Sequence, residues 1–390
     1  MKSTRIKITL TAIISVILTL AVSAGAVWVF AGNSVSQFLK YLEIKQIVDQ
    51  HYLWEYDASA ADDAMYKAYM ESLGDKYSRY YTSEEAAEKN DALEGNFHGI
   101  GISAARHPDT RNMYIVHVFA GSPAAAAGLM DKDEIVAVGD KKVSEDYEAA
   151  YNYLRGMENE KVEITYSRDG VMHDTEVTYG DCTEQSVFSE LFEEYGYIEI
   201  TKFNYATVDQ FKDAVDNLVA AGARGLIFDL RSNSGGTVDS VCQILDYICH
   251  EGDLMYVTYA YSEKKHVLRS SDNEDNIELP MAVLTDGGTA SAAELFAADI
   301  RDFNKGVLIG DTTYGKGIMQ ATYSLKDGSA VKMTIAEYFP HSAEGFHGEG
   351  LEPDIKVTLT EEQQSRLVLL EGREDPVVAA AQEWFKNEEN

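Results

Sequence analysis

The stretch Thr285-Asp-Gly-Gly-Thr-Ala-Ser-Ala-Ala-Glu-Leu-Phe-Ala-Ala-Asp-Ile-Arg-Asp-Phe-Asn-Lys-Gly-Val-Leu-Ile-Gly-Asp-Thr-Thr-Tyr-Gly-Lys-Gly-Ile-Met-Gln320 organises this chain. An apolar run, Pro280 to Leu284, leads into it and reads as a buried strand. Asp286, Gly287 and Gly288 turn the chain. From Ala290 onward Leu295, Phe296 and Ile300 recur near one face of a helix. Ser291 therefore stands at a helix N-terminus, where free N–H groups and the positive end of the dipole suit an oxyanion. A second strand, Val307 to Ile309, runs into a loop that carries Lys316 between Gly315 and Gly317.

Residue types alone leave two readings open. In one, Ser291 and Lys316 form a dyad. A serine hydroxyl is a poor nucleophile until a base takes its proton, and a lysine is that base only when burial keeps it neutral. Gln320 lies four residues on in a β-like segment, projects to the same side and could orient the amine. In the other, Ser291 is a helix cap and Lys316 a solvated loop lysine. Gly310 to Lys316 also matches the start of a phosphate-binding loop. Gly317 stands where the magnesium-binding hydroxyl belongs, and a strand follows instead of a helix, which argues against nucleotide.

The 390 residues suffice for two or three domains, and the net charge of −32 makes nucleic acid an unfavourable partner. Cys182, Cys242 and Cys249 have no metal or redox spacing and read as free buried thiols. No metal and no cofactor is implied: there is no H-E-x-x-H, and acidic Ser271 to Glu278 lacks the glycine and spacing of a calcium loop. Lys2, Arg5 and Lys7 precede an uncharged, mostly apolar run from Ile8 to Ala31 that is long enough to span a bilayer. The next basic residue is Lys40, so the positive side, residues 1–7, belongs in the cytoplasm and the body of the protein outside. Ala24-Gly25-Ala26 keeps a cleavable signal peptide open; both readings export the body.

Residues 32–92 read as a helical segment, from the spacing of Leu39, Leu42, Ile44, Ile47 and Val48 and then of Met65, Tyr69, Met70 and Leu73. Within it, Leu73 to Tyr81 is expected to pack as a short helical hairpin. Gly225 to Leu230, apolar but for Asp229, reads as a strand buried on both faces. It ends at Arg231-Ser232-Asn233-Ser234-Gly235-Gly236, before a helix from Val238, the place where open α/β sheets put their sites. Arg231 and Asp229 are expected to brace that loop. His341 and His347 have no G-x-S-x-G elbow to serve and read as structural. Residues 360–390 read as a charged amphipathic helical tail, packed on the core or on a second subunit of a homo-oligomer.

Several of these segments resemble the carboxy-terminal processing (tail-specific) serine proteases. Thr289 to Glu294 is similar to the family's nucleophile segment, and Thr313 to Gln320 to its Thr-Phe/Tyr-Gly-Lys-Gly-x-x-Gln segment. Asp229 to Gly236 resembles its Asp-Leu-Arg-x-Asn-Pro-Gly-Gly, Leu73 to Tyr81 a degenerate form of its Leu-Asp-Pro-His-Ser-x-Tyr-Leu, and Phe346 to Ile355 its closing Gly-x-Gly-Ile-x-Pro-Asp. Asp286 stands where the family often has Asn. Residues 93–180 resemble a PDZ domain, with Gly121 to Leu129 the specific signal; Lys132 and Gly139-Asp140 depart from its pattern.

With the apolar run over 8–31 read as a transmembrane helix, followed by the helical segment, the resemblance implies a multidomain chain with a β-rich PDZ domain and an α/β protease core over 181–359. It implies Ser291 as nucleophile, Lys316 as general base and Gln320 as third member. The N–H groups of Gly235 or Gly236 and of Ala292 would form the oxyanion hole. Gly99, Ile100, Gly101 and Ile102 would receive a free peptide C-terminus. The function implied is a membrane-anchored serine endopeptidase acting outside the cytoplasm on proteins with free C-terminal tails. A non-catalytic, membrane-tethered PDZ adaptor is the alternative, and the intact Ser291, Lys316 and Gln320 argue against it.

Overall fold

The computed structural model describes residues 15–19, 33–154, 160–259, 262, 264–273, 276–370 and 372–388. The chain divides into two units, residues 1–65 and 66–390. Residues 15–19 are helical; the rest of the span expected over 8–31 lies outside the described residues. Among the described residues no helix is long and apolar enough to cross a membrane. In the first unit, helix α1 (Asn33–His51) is tied back by Tyr41, whose hydroxyl donates to Asp62 at 2.5 Å. Helix α2 (Ala58–Glu71) runs across the division between the units.

In the second unit the expected helical hairpin is corrected. Leu73 to Tyr81 forms no helix; it turns and becomes strand β1 (Arg79–Tyr81). Arg79, Tyr80 and Tyr81 lie opposite Lys332, Val331 and Ala330, so this segment satisfies its backbone across a sheet. Helix α3 (Ser83–Glu94) then starts at a capping box: Glu85 N–H donates to Thr82 Oγ1, and Thr82 N–H to Glu85 Oε2 at 2.9 Å.

The middle domain follows. Its elements are β2 (Asn96–Gly99), β3 (Ile102–Arg106), β4 (Met113–Val118), α4 (Pro123–Ala126), β5 (Glu134–Val138), β6 (Lys141–Lys142), α5 (Tyr147–Tyr153), β7 (Lys161–Arg168), β8 (Val171–Thr178) and β9 (Gly180–Thr183). The sheet order is β3-β4-β5-β7-β8, with β6 on β5, while β2 pairs with β9. Ile115, Ile135, Val138, Val162 and Ile164 fill its core, and in β7 Val162 and Ile164 alternate with exposed Lys161 and Glu163 as a half-buried strand requires. Strand β3 is an edge strand, and its outer row of backbone groups is unpaired.

The larger domain contains β10 (Val187–Phe192), β11 (Tyr195–Ile200), α6 (Tyr205–Ala220), β12 (Leu226–Asp229), α7 (Val238–Ile248), β13 (Gly252–Tyr259), β14 (His266–Ser271), β15 (Met281–Thr285), α8 (Ala292–Asp302), β16 (Gly306–Gly310), β17 (Ile318–Ser324), β18 (Ala330–Phe339) and β19 (Ile355–Lys356). One sheet runs β10-β11-β12-β15-β16-β19, parallel from β11 onward. Every residue of β12 and β15 is buried, as apolar strands covered on both faces must be. Phe211, Phe228 and Phe296 pack from α6, β12 and α8 on one side. A second sheet, β1-β18-β13-β14 with β17 on β18, stands beside it. The expected helical tail is interrupted: α9 (Glu361–Ser365) and two short 3₁₀ turns precede α10 (Pro376–Glu388). Phe385 of α10 stacks on Tyr195 at 4.6 Å, so the tail covers the other face of the parallel sheet.

Candidate active site

Ser291 follows the C-terminal end of β15 and precedes the first residue of α8. Its backbone is at φ 60° and ψ −120°, a region that costs a residue with a side chain about 1–3 kcal/mol. Two devices hold it there. Asp286 Oδ1 accepts Gly288 N–H at 2.9 Å and Thr289 N–H at 3.0 Å, which fixes the turn. Glu294, fully buried on α8, reaches back with Oε2 to accept Ser291 N–H at 2.8 Å. Asp286 Oδ1 also accepts Ser232 N–H at 2.8 Å, so this side chain ties two loops together as well as shaping a turn.

Lys316 is brought to the same carboxylate. Glu294 Oε2 accepts Lys316 N–H at 2.7 Å, and Oε1 accepts Gly315 N–H and Thr313 Oγ1–H, both at 2.6 Å. The Lys316 carbonyl accepts the hydroxyl of buried Tyr338 at 2.8 Å. The Lys316 amine is half-buried and stands 4.7 Å from the centre of the Tyr77 ring. Burial lowers its pKa from the ordinary lysine range, and the charge of Lys332 lowers it further against Tyr314 and Glu294. No hydrogen bond joins this amine to Ser291 Oγ in the structure.

The loop after β12 packs against the Ser291 turn. Buried Asn233 accepts Ala290 N–H on its carbonyl at 2.9 Å, and its side chain donates to Ile200 O at 2.6 Å. Its Oδ1 accepts Gly235 N–H at 2.8 Å. That bond engages the Gly235 N–H in this conformation, so of the two glycines expected as alternatives it is Gly236 whose N–H has no protein acceptor. Gly235 is needed for space instead, because a Cβ there would lie 2.6 Å from Ala290 O and 2.8 Å from Ser291 Cβ. Gly236 is exposed, and neither its N–H nor that of Ala292 is engaged by any protein acceptor.

Gln320 sits on β17, and its amide donates to Thr334 Oγ1 at 3.2 Å and to Ile318 O at 3.4 Å, not toward Lys316. Asp229 and Arg231 brace the loop: Arg231 pairs with Asp229 and, at 2.6 Å, with Asp375 before α10. His347 Nδ1 accepts Gly317 N–H at 3.3 Å, and the His341 ring lies 2.7 Å from Asp253 O. In the middle domain Ile100 O accepts Ala124 N–H and Gly101 O accepts Phe119 N–H, while the N–H groups of Ile100 and Gly101 have no acceptor. All three cysteines are free and buried. Among the described residues no cluster of three His, Cys, Asp or Glu could hold a metal ion. Sequence reasoning missed Glu294, Tyr77, Tyr338 and Asn233. Only Glu294 left a signal, the Ser-x-x-Glu spacing of a capping box.

Residues 194–357 match the family described as Peptidase family S41, and residues 98–179 match the PDZ domain. The chain is 31% identical to the carboxy-terminal processing protease CtpA of Bacillus subtilis, over 88% of its own length and 76% of that protein. It is 28% identical to a probable CtpA-like serine protease of Staphylococcus saprophyticus, over 90% and 72%. In fold it is similar to the solved structure of a putative S41 protease from Bacteroides fragilis, with a TM-score of 0.60, 18% identity, and coverage of 88% of this chain and 97% of that one. With this relatedness across both domains, the chain belongs to peptidase family S41 and is a PDZ-containing serine endopeptidase of the carboxy-terminal processing type.

Proposed function

We propose that Ser291 and Lys316 are the nucleophile and general base of this peptidase. The observation that carries the reading is the shared Glu294 carboxylate, which ties the strained Ser291 turn to the loop of a lysine whose pKa is lowered by burial. Ser291 Oγ attacks the scissile carbonyl while Lys316 takes its proton. The tetrahedral oxyanion is met by the N–H groups of Gly236 and Ala292. Lys316 then passes the proton to the leaving amine, and water hydrolyses the acyl-enzyme by the same route. Gln320 orients the amine only after its side chain leaves Thr334.

The middle domain receives the C-terminal carboxylate of a substrate at Gly99 to Ile102, and the tail adds as a strand along the free edge of β3. Residues 8–31 anchor the chain in the membrane, with residues 1–7 inside and the peptidase outside. Tail engagement is what brings the Lys316 amine onto Ser291, since the two side chains are not hydrogen-bonded in this structure. The test is digestion of casein by the full chain, in detergent, beside Ser291→Ala and Lys316→Ala. Cleavage by the parent and by neither variant is expected. Cleavage that survives Lys316→Ala moves the base elsewhere and refutes the dyad.

A further inference from the structure

The turn from Asp75 to Ser78 leads into β1. It is pinned to the larger domain from within. Ser78 Oγ accepts Thr334 N–H from β18 at 3.1 Å and donates to Asp75 Oδ2 at 2.5 Å, and Asp75 Oδ1 accepts Tyr77 N–H at 2.9 Å. The pairing of β1 with β18 begins one residue later, at Arg79. Tyr77 is thus held in a fixed place by the sheet that also carries Tyr338. Beside it, the hydroxyl oxygen of Tyr314 accepts from Lys76 at 2.5 Å. Its ring faces the Lys316 amine at 4.7 Å.

We propose that Tyr77 is a positioning residue for Lys316, its ring forming the wall that keeps water from the amine and fixes where the amine stands. The proposal rests on the dyad reading above. The groups that face this amine can be named. Glu294 comes from α8, but its oxygens are taken up by the N–H groups of Ser291, Gly315 and Lys316 and the hydroxyl of Thr313. Lys332 comes from β18, Tyr314 from the lysine's own loop, and Asp75 and Lys76 from the Tyr77 turn, while Tyr338 of β18 donates to the Lys316 carbonyl. Neither carboxylate pairs with the amine, and two of its neighbours are cations. The remaining partner for a proton on Lys316 would be water, and the ring stands in its way. An aromatic face does attract an ammonium. Water is the better partner for that charge, so removal of the ring favours the protonated form.

The test uses the full chain and an unstructured peptide without ionisable side chains. The pH profile of kcat/KM is measured for the parent, Tyr77→Ala, Tyr77→Phe and Lys316→Ala. Expected is an acid limb moved to higher pH in Tyr77→Ala, with a rate about tenfold lower at pH 7 that approaches the parent's at alkaline pH. Tyr77→Phe, which keeps the ring, keeps the limb at the parent's pH. An equal loss at every pH in Tyr77→Ala gives the residue a structural role only and overturns the proposal. Cleavage by Lys316→Ala overturns the dyad itself, a distinct result. An activity-free measurement covers a poorly active variant: the pH dependence of Lys316 acetylation by acetic anhydride, followed by mass spectrometry in Ser291→Ala with and without Tyr77→Ala. Reactivity that sets in at higher pH without the ring supports the wall; unchanged reactivity rules it out.

Discussion

One oxygen of Glu294, Oε2, accepts the backbone N–H of Ser291 at 2.8 Å and that of Lys316 at 2.7 Å. The nucleophile segment and the base segment are thereby fixed to each other through a single buried carboxylate. Glu294→Gln offers only one acceptor oxygen and turns an N–H₂ group toward backbone donors. The expected cost is about 3 kcal/mol, from hydrogen bonds to a charged group and the donors left unpaired. A fall in Tm of about 6–12 °C and a loss of cleavage of about 100-fold or more are expected. Thermal melts and casein digestion measure both. Unchanged activity with an unchanged Tm would show that the two loops are placed by other contacts.

Gly235 packs against the Ser291 turn and Gly236 against Phe203, so each tests how closely their loop must fit. Gly235→Ala places a Cβ 2.8 Å from Ser291 Cβ, and the φ of +96° at that position is itself unfavourable for alanine. Gly236→Ala places one 1.9 Å from the Phe203 carbonyl oxygen. Both are expected to lower kcat by about 100-fold or more, with Gly236→Ala also lowering Tm. A Gly235→Ala enzyme with parental kcat would mean that the Ser291 turn shifts without consequence.

Lys332 offers a second handle on the base. It is itself half-buried, with its pKa lowered by burial and by the charges of Lys89 and Arg79, and its charge lowers that of Lys316. Lys332→Met keeps the length and removes the charge. The acid limb of kcat/KM is expected to move to higher pH, because a proton on Lys316 then meets less repulsion. A limb that moves to lower pH contradicts this electrostatic assignment.

The same shift sets a sign on stability. Lys316 has a lower pKa folded than unfolded, so its charged form opposes folding. That penalty is complete below the folded pKa and disappears as pH rises to the unfolded value of about 10.4. Lys316→Met is therefore expected to be inactive and more stable at pH 7, with the gain fading toward pH 10. Denaturant unfolding at the two pH values decides it, and a variant less stable than the parent at pH 7 contradicts the buried-cation account.

Arg231 joins Asp229 at the end of β12 to Asp375, which precedes α10, with all three side chains buried. Arg231→Ala leaves two carboxylates without a counter-charge, at a cost of about 3–5 kcal/mol. Loosening of α10 is expected first, seen as hydrogen exchange at Val377 to Phe385 before exchange in β12. Simultaneous exchange of both elements would mean that the tail and the sheet open as one unit.

Much of the fold was legible in the chain itself. Gly225 to Leu230 had to be a strand buried on both faces, because its apolar run leaves no side for water. Val238 onward, placed after a glycine turn at the end of that strand, read as the helix that follows it. The glycine turn before Ser291 and the glycines around Lys316 marked the two loops, and the family resemblance paired them. These features depend on neighbours in sequence, where pattern and turn chemistry act.

What the tertiary structure decided depends on residues far apart in the chain. Leu73 to Tyr81 was expected to be a helical hairpin, yet pairing with β18 made it a turn and a strand, because an open sheet edge offered its backbone partners that a lone hairpin lacks. Gly235 was one of two equal oxyanion donors until folding brought the Asn233 side chain onto its N–H. Tyr77 reaches Lys316 across more than two hundred residues of sequence, a distance that no spacing rule spans. The sequence by itself determined which residue types stand on which turns. Only the packing of α8, β18 and the Asp75–Ser78 turn around one carboxylate and one amine decided which of them meet, because burial, which sets both hydrogen-bond partners and pKa, exists only once the chain has closed on itself.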